Sequence, residues 1–274
     1  MSNLVPNLIF ILFAVFIVGK IIYESYQIIR AIVNYFFKDY INRHLIFRNL
    51  NARSKAYLRD NFRYYQSLNA ADKILFEKRV QKFMDMKEFI PRGEMKEVTL
   101  EMKTLISASA IQITFGLPGI YFLHFYRILV YPDDYYSTIT RKYHRGEVNT
   151  RGFIVLSWKS LEQGYFDPSD GRNLGLHEMA HALKIEDSIQ NEEYDFFDYD
   201  AFHGFIRRGR IEMHRINNGE ESFFRKYAAT NDYEFFAVAV ENFFEKPKEF
   251  INYHPELFQL LCKLLKQNPI YLVE

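Results

Sequence analysis

Three residues in the stretch Leu176–Leu183 carry the types and spacing of hydrolytic metal chemistry: His177, Glu178 and His181, within Leu-His-Glu-Met-Ala-His-Ala-Leu. The surrounding Ala, Met and Leu favour helix, and in a helix residues four apart project from one face, a turn apart. Two imidazoles so placed can share one Zn²⁺. Glu178, one step round, is placed to reach a water on that metal rather than the metal itself, the general-base position of a metallopeptidase. H-E-x-x-H is short enough to arise by accident, so the rest of the chain must supply a third ligand and a fold to hold it.

The third ligand is expected in Asp232–Glu245, Asp-Tyr-Glu-Phe-Phe-Ala-Val-Ala-Val-Glu-Asn-Phe-Phe-Glu. Asp232 is placed to cap a helix that ends before Pro247. On that helix Glu234, Ala237, Val238 and Glu241 share a face, and phenylalanines fill the flanks. A carboxylate at the start of so apolar a helix is costly to bury without a cationic partner, and Zn²⁺ is such a partner. Two His and one Glu leave a fourth position for water, as in a catalytic rather than a structural zinc site.

Other elements must position these groups. Strands are predicted at Phe125–Tyr131 and Gly152–Trp158, joined by a charged, irregular loop that contains His144. Asp167-Pro-Ser-Asp-Gly171 is turn chemistry leading into the motif helix. The strand Phe153–Trp158 is the natural edge for a peptide substrate, which commonly adds to a sheet as an extra strand. Upstream, Asn69 is a candidate N-cap for a helix that runs through Leu75, Phe76, Val80 and Phe83 and ends before Pro91, and Met102–Phe115 reads as a buried helix. After the motif, Glu186–Asp200 reads as a solvated acidic loop and 201–218 as a helix, whose His203 and His214 are left out of the site.

The 274 residues, 49% hydrophobic with a net charge of +1, allow a large core, nothing in the overall charge argues for nucleic acid, and no nucleic-acid partner is expected. Sparse Gly and Pro suit a mostly helical body. Cys262 is the single cysteine, which rules out an internal disulfide framework, and its apolar surroundings suggest a buried inert thiol. Leu4–Tyr23 is long and apolar enough to span a bilayer if Lys20 reaches the interface. No Lys or Arg precedes it and no small-x-small cleavage site follows, which favours an anchor over a signal peptide. Lys20, Arg30, Lys38, Arg43 and Arg48 follow the span, so the positive-inside rule puts the remaining chain in the cytoplasm. The expected organisation is a transmembrane helix and amphipathic stalk at 1–38, a linker or short helices at 39–66, and a catalytic domain at 67–274.

These blocks resemble the Mlc titration factor A family of zinc peptidases, itself similar to the catalytic domain of anthrax lethal factor. The resemblance rests on His-Glu-Met-Ala-His preceded by Asp-Gly-Arg-Asn, on Ile-Val-Leu-Ser-Trp, and on Tyr-Ala-Ala-Thr-Asn-Asp-Tyr-Glu-Phe-Phe-Ala-Val followed by Glu-Asn-Phe-Phe-Glu. It implies an α+β, zincin-like fold of the gluzincin type, with one Zn²⁺ on His177, His181 and Glu234 and Glu178 as general base. It also implies that Tyr227, seven residues before Glu234, points its hydroxyl at the metal-bound water or the oxyanion. Two positions depart from the pattern: Val238 stands where lethal factor has an acid, and Lys184 where the titration factors often have Asp. Orientation of a ligand histidine by a carboxylate would then fall to Glu241, Glu186 or Asp187, or be absent. The function expected is membrane-anchored peptide hydrolysis. The alternative is a regulatory protein that sequesters a transcriptional regulator at the membrane.

Overall fold

The computed structural model describes residues 16–26, 29, 48–137, 141–167, 170–189 and 196–272. The chain divides into two units, residues 1–46 and 47–274. In the first, residues 16–26 are helical and exposed. Residues 4–15 of the expected span, and the expected stalk from residue 30 to 38, lie outside the described residues. Among the described residues no helix is long and apolar enough to cross a membrane.

In the second unit a helix at Leu100–Thr114 is buried from Thr104 onward, on every face. Three of its hydroxyl residues return their protons to the helix: Thr104, Ser109 and Thr114 donate to the carbonyls of Leu100, Leu105 and Ala110. The helix ends at the fully buried Arg79, whose guanidinium donates to the carbonyls of Thr114, Phe115 and Leu117. That cation meets the terminal carbonyls left unpaired inside the helix. Arg79 belongs to the helix Ala70–Met86, which Asn69 caps as expected by accepting from the Asp72 N–H at 2.9 Å. Residues 51–67, read as linker or short helices, form two short helices that belong to the packed body, with Leu58 and Phe62 fully buried.

A four-stranded sheet runs in the order β1-β2-β6-β5, with β1 Glu88–Pro91, β2 Arg127–Tyr131, β5 Gly146–Asn149 and β6 Phe153–Ser157. β1, β2 and β6 are parallel, and β5 runs antiparallel to β6. A separate hairpin pairs β3 Tyr135–Ser137 with β4 Lys142–His144. Mostly helical layers on a small mixed sheet match the expected α+β class. Two expectations are corrected. The region between the two predicted strands is not irregular, since it holds β3, β4 and β5. Phe153–Ser157 is an interior strand, flanked by β2 and β5, so it cannot be the edge. The helix from Asn69 ends at Met86, before Pro91 as expected, and the last residues before Arg92 form β1, carried by parallel pairing to Arg127–Val130 rather than by local propensity.

Candidate metal centre

The motif helix is Leu174–Ile189. Asn173 starts it: its Oδ1 accepts the Leu176 N–H at 3.0 Å, an N-cap bond. The helix runs on to Ile189, so Glu186 is not in an acidic loop. Buried, it accepts the Leu123 and His124 N–H groups at 2.8 and 3.0 Å and pins the approach to β2. Asp187 accepts the Phe196 and Phe197 N–H groups. Residues 190–195 of the acidic stretch lie outside the described residues.

The second helix is Asp232–Glu245. Its N-cap is Asn231, not Asp232: Asn231 accepts the Tyr233 and Glu234 N–H groups, while Asp232 pairs with Arg210 at 2.6 Å. This cap fixes the first turn, and with it the Glu234 carboxylate. Lys184, from the motif helix, donates to the Asp232 carbonyl at 3.1 Å and lies 4.0 Å over the Tyr233 ring. Burial lowers its pKa to about 8.

Between the helices three donor atoms converge. His177 Nε2 and His181 Nε2 are 3.1 Å apart, and Glu234 Oε2 lies 3.1 Å from the first and 3.4 Å from the second. One donor atom from each residue lies within 4.8 Å of the others, and among the described residues this is the one His/Cys/Asp/Glu group so arranged. Glu234 Oε2 is buried without hydrogen-bond geometry to any partner. A buried orphan acceptor is costly, and a shared cation would satisfy it. Burial alone would raise the Glu234 pKa, but the two imidazoles hold it well below the usual carboxylate range. For His177, burial opposes the charged form, yet Glu234 and Glu241 hold its pKa up at about 10.

Of the three carboxylates considered for orienting a histidine, the structure selects Glu241. Its Oε1 accepts His177 Nδ1 at 2.7 Å, which turns Nε2 towards the cluster. Glu241 is almost fully buried, but it is not alone. Arg225 donates to both of its oxygens, at 2.7 and 3.1 Å, and the Asn173 N–H donates at 2.7 Å. Arg225 also donates to the Gly171 carbonyl at 2.7 Å. Gly171 has φ +73°, a backbone that favours glycine, so the turn before the motif helix is shaped to present that oxygen.

Glu178 is buried at the first residue of β5. A Cβ on Gly146 would lie 2.5 Å from the Glu178 carboxyl, so only glycine lets this strand rest on it. Burial raises the Glu178 carboxyl above its usual range, against the pull of both histidines. Tyr227, in the 3-10 turn Lys226–Thr230, has its ring 6.0 Å from that of His177 and is half exposed. Burial, reinforced by Glu234, pushes its pKa up to about 12, so it is a neutral O–H donor near pH 7. His203 and His214 do not join the cluster. Cys262 is partly rather than fully buried, and burial raises its thiol to about 11, which leaves it a poor nucleophile.

The sequence profile of the glucose-regulated metallo-peptidase M90 family matches residues 38–266. The chain belongs to this family. Within it, the chain is similar to Mlc titration factor A of Escherichia fergusonii, 30% identical over 214 residues that cover 69% of this chain and 77% of that protein. Mlc titration factor A of Enterobacter sp. is 29% identical over 226 residues, covering 74% and 82%. A Synechocystis protein, slr2042, is 28% identical over 250 residues, covering 85% and 90%. For this M90 chain, sequence reasoning brought together His177, His181, Glu234, Glu178 and Tyr227. It missed Arg225, Asn173 and Gly146. Asn173 carried a signal, an Asn three residues before the first buried leucine of the motif, whereas nothing local marks a glycine whose role is to meet a distant carboxylate.

Proposed function

We propose that this protein is a zinc-dependent peptidase, with His177, His181 and Glu234 as metal ligands and Glu178 as general base. The observation that carries the reading is the convergence of two imidazole nitrogens and the orphaned Glu234 oxygen beside a buried, basic carboxylate. Two His and one Glu form the ligand set of a catalytic zinc. Bound there, the metal supplies Lewis acidity towards water and towards a peptide carbonyl. Glu178 takes the proton of the attacking water and then returns it to the leaving amine. The Tyr227 hydroxyl donates to the carbonyl oxygen as negative charge builds on it. Glu241 and Arg225 hold His177 in register throughout. The substrate lies along β5, the edge strand that rests on Glu178, rather than along Phe153–Trp158 as the sequence suggested.

The membrane anchor at Leu4–Tyr23, with the catalytic unit on the cytoplasmic side, is part of this reading and is supported by the hydropathy and basic flank of the sequence. Release of the full chain from membranes by alkaline carbonate would refute it.

The central test uses the purified full chain. Zinc-loaded protein should cut unstructured peptides, and Glu178→Gln should keep its metal but lose ~10²–10⁴-fold in rate. Unchanged activity in that variant at full metal occupancy would sink the mechanism. A second reading, regulatory sequestration of a transcriptional regulator, is favoured by the name of the relatives, titration factors of Mlc. Capture with Glu178→Gln separates the two: a partner held intact by the variant but shortened by the wild type marks a substrate, and one left intact by both marks sequestration.

A further inference from the structure

A cleft of about 590 Å³ opens on one side of the candidate centre. His177 and Tyr227 line it, while His181, Glu234 and Glu178 do not. Its walls come from the end of the β3–β4 hairpin and the start of β5, and from the segment that leads into the motif helix. Each contributes an arginine, Arg145 from the first and Arg172 from the second. The charges there are unequally committed. Arg225 is bound to Glu241 and to the Gly171 carbonyl. Arg145 lies 3.4 Å from the Asp134 carboxylate with most of its side chain exposed, a loose pair that water screens. Arg172 is exposed, and Asp170 in the same lining accepts its backbone N–H rather than its guanidinium.

The direction of β5 says which part of a substrate meets these arginines. The strand begins at Gly146 against Glu178 and runs to Asn149, antiparallel to β6. A peptide that extends this edge in the antiparallel sense enters beside Asn149 and reaches Glu178 at Gly146. It continues past Arg145 into the cleft. Glu178 marks the scissile bond, so what lies beyond it is the leaving-amine side. Exposed guanidinium groups match carboxylates, which they can bind through two parallel hydrogen bonds.

We propose that Arg145 and Arg172 make this cleft a receptor for a carboxylate on the leaving-amine side of the scissile bond, carried by an Asp or Glu side chain or by the C-terminus of the peptide. The proposal rests on the peptidase reading of the adjoining centre, and its test separates the two.

The zinc-loaded full chain is given matched peptides with Glu, Gln or Lys immediately after the cut, their products located by mass spectrometry. A second pair ends one residue after the cut, with a free or an amidated terminus. One charge-assisted contact corresponds to a preference of about tenfold in kcat/KM, carried mainly by KM. Glu should exceed Gln by that factor and Lys should be poorest, or the free terminus should exceed the amide. The first result assigns the carboxylate to a side chain and the second to the chain end. Arg145→Gln and Arg172→Gln should erase the ratio, and Arg172→Glu should turn it towards Lys. Equal cleavage across both sets, or a preference for acid on the carbonyl side, overturns the proposal. Fluorescence anisotropy of the same labelled peptides on Glu178→Gln gives a readout without turnover. Tighter binding of the carboxylate peptides, lost with salt, supports the cleft, and equal binding rejects it. If no peptide is cut by metal-loaded wild type, the peptidase reading falls while the anisotropy still decides the carboxylate site.

Discussion

His177 and His181 offer the same atom to the same cluster from one helix, yet their surroundings differ. The far nitrogen of His177 is held by Glu241, which is held in turn by Arg225 and by the backbone of Asn173, the residue that caps the motif helix. Capping, ligand orientation and the Gly171 turn therefore form one connected assembly. Among the described residues, no carboxylate or carbonyl accepts the far nitrogen of His181. One turn further along the same helix, the Lys184 ammonium ties the motif helix to the start of the Glu234 helix through the Asp232 carbonyl. The first half fixes a ring directly, and the second fixes the spacing of two backbones. Rigidity at the centre is thus concentrated at the beginning of the motif helix, the end that faces the cleft.

The largest effect should come from the element both halves share. Glu234→Ala should abolish stoichiometric metal after dialysis, read by elemental analysis, and retention of tight zinc would refute the ligand set. Next, Glu241→Ala should weaken metal about 10–100-fold in competition with a chelator. The same change strands Arg225 and should lower unfolding stability by about 3 kcal/mol. Lys184→Met, the matching change on the other side, should cost about 1 kcal/mol of stability, with metal affinity altered far less than in Glu241→Ala. Equal metal losses in the two variants would break the comparison.

The smallest effect concerns the far end of the Glu234 helix. Burial raises the Glu245 carboxyl to about 8, while the Asn173 amide, 3.1 Å from it, pulls the other way. A folded-state pKa above the unfolded value favours the native state most below the unfolded pKa of about 4, and that contribution disappears as pH rises through about 8. Glu245→Gln should remove about 1 kcal/mol of this decline, seen as a flatter dependence of the urea midpoint between pH 5 and 9.

The convergence of His177, His181 and Glu234 was legible because a helix imposes its own spacing. His177, Glu178 and His181 need only a helix to take their places, and Glu234 and Glu241 need only two turns of another. The Leu100–Thr114 helix was legible for a different reason, a long run of small and apolar residues that suits burial on every face. The edge strand was not. Gly146-Glu-Val-Asn149 is four residues long with a single β-branched member, and it becomes a strand through its pairing to β6 and its rest on Glu178. β1 is hidden likewise, its order supplied by parallel neighbours far along the chain. The cap at Asn231 was misplaced by one residue because Asn and Asp cap almost equally well, and the decision fell to Arg210, which engages Asp232.

The distance along the chain between the motif and its completing residues has a consequence for biosynthesis. The two histidines and Glu178 leave the ribosome more than fifty residues before Glu234, and Glu241 follows later still. Until residues 225–241 have emerged and docked on the motif helix, the His177, His181 and Glu234 cluster is incomplete and His177 lacks the Glu241 carboxylate that holds its ring. A growing or truncated chain therefore carries the recognisable motif without the assembled His177, His181 and Glu234 cluster until the Asp232–Glu245 helix docks on the motif helix.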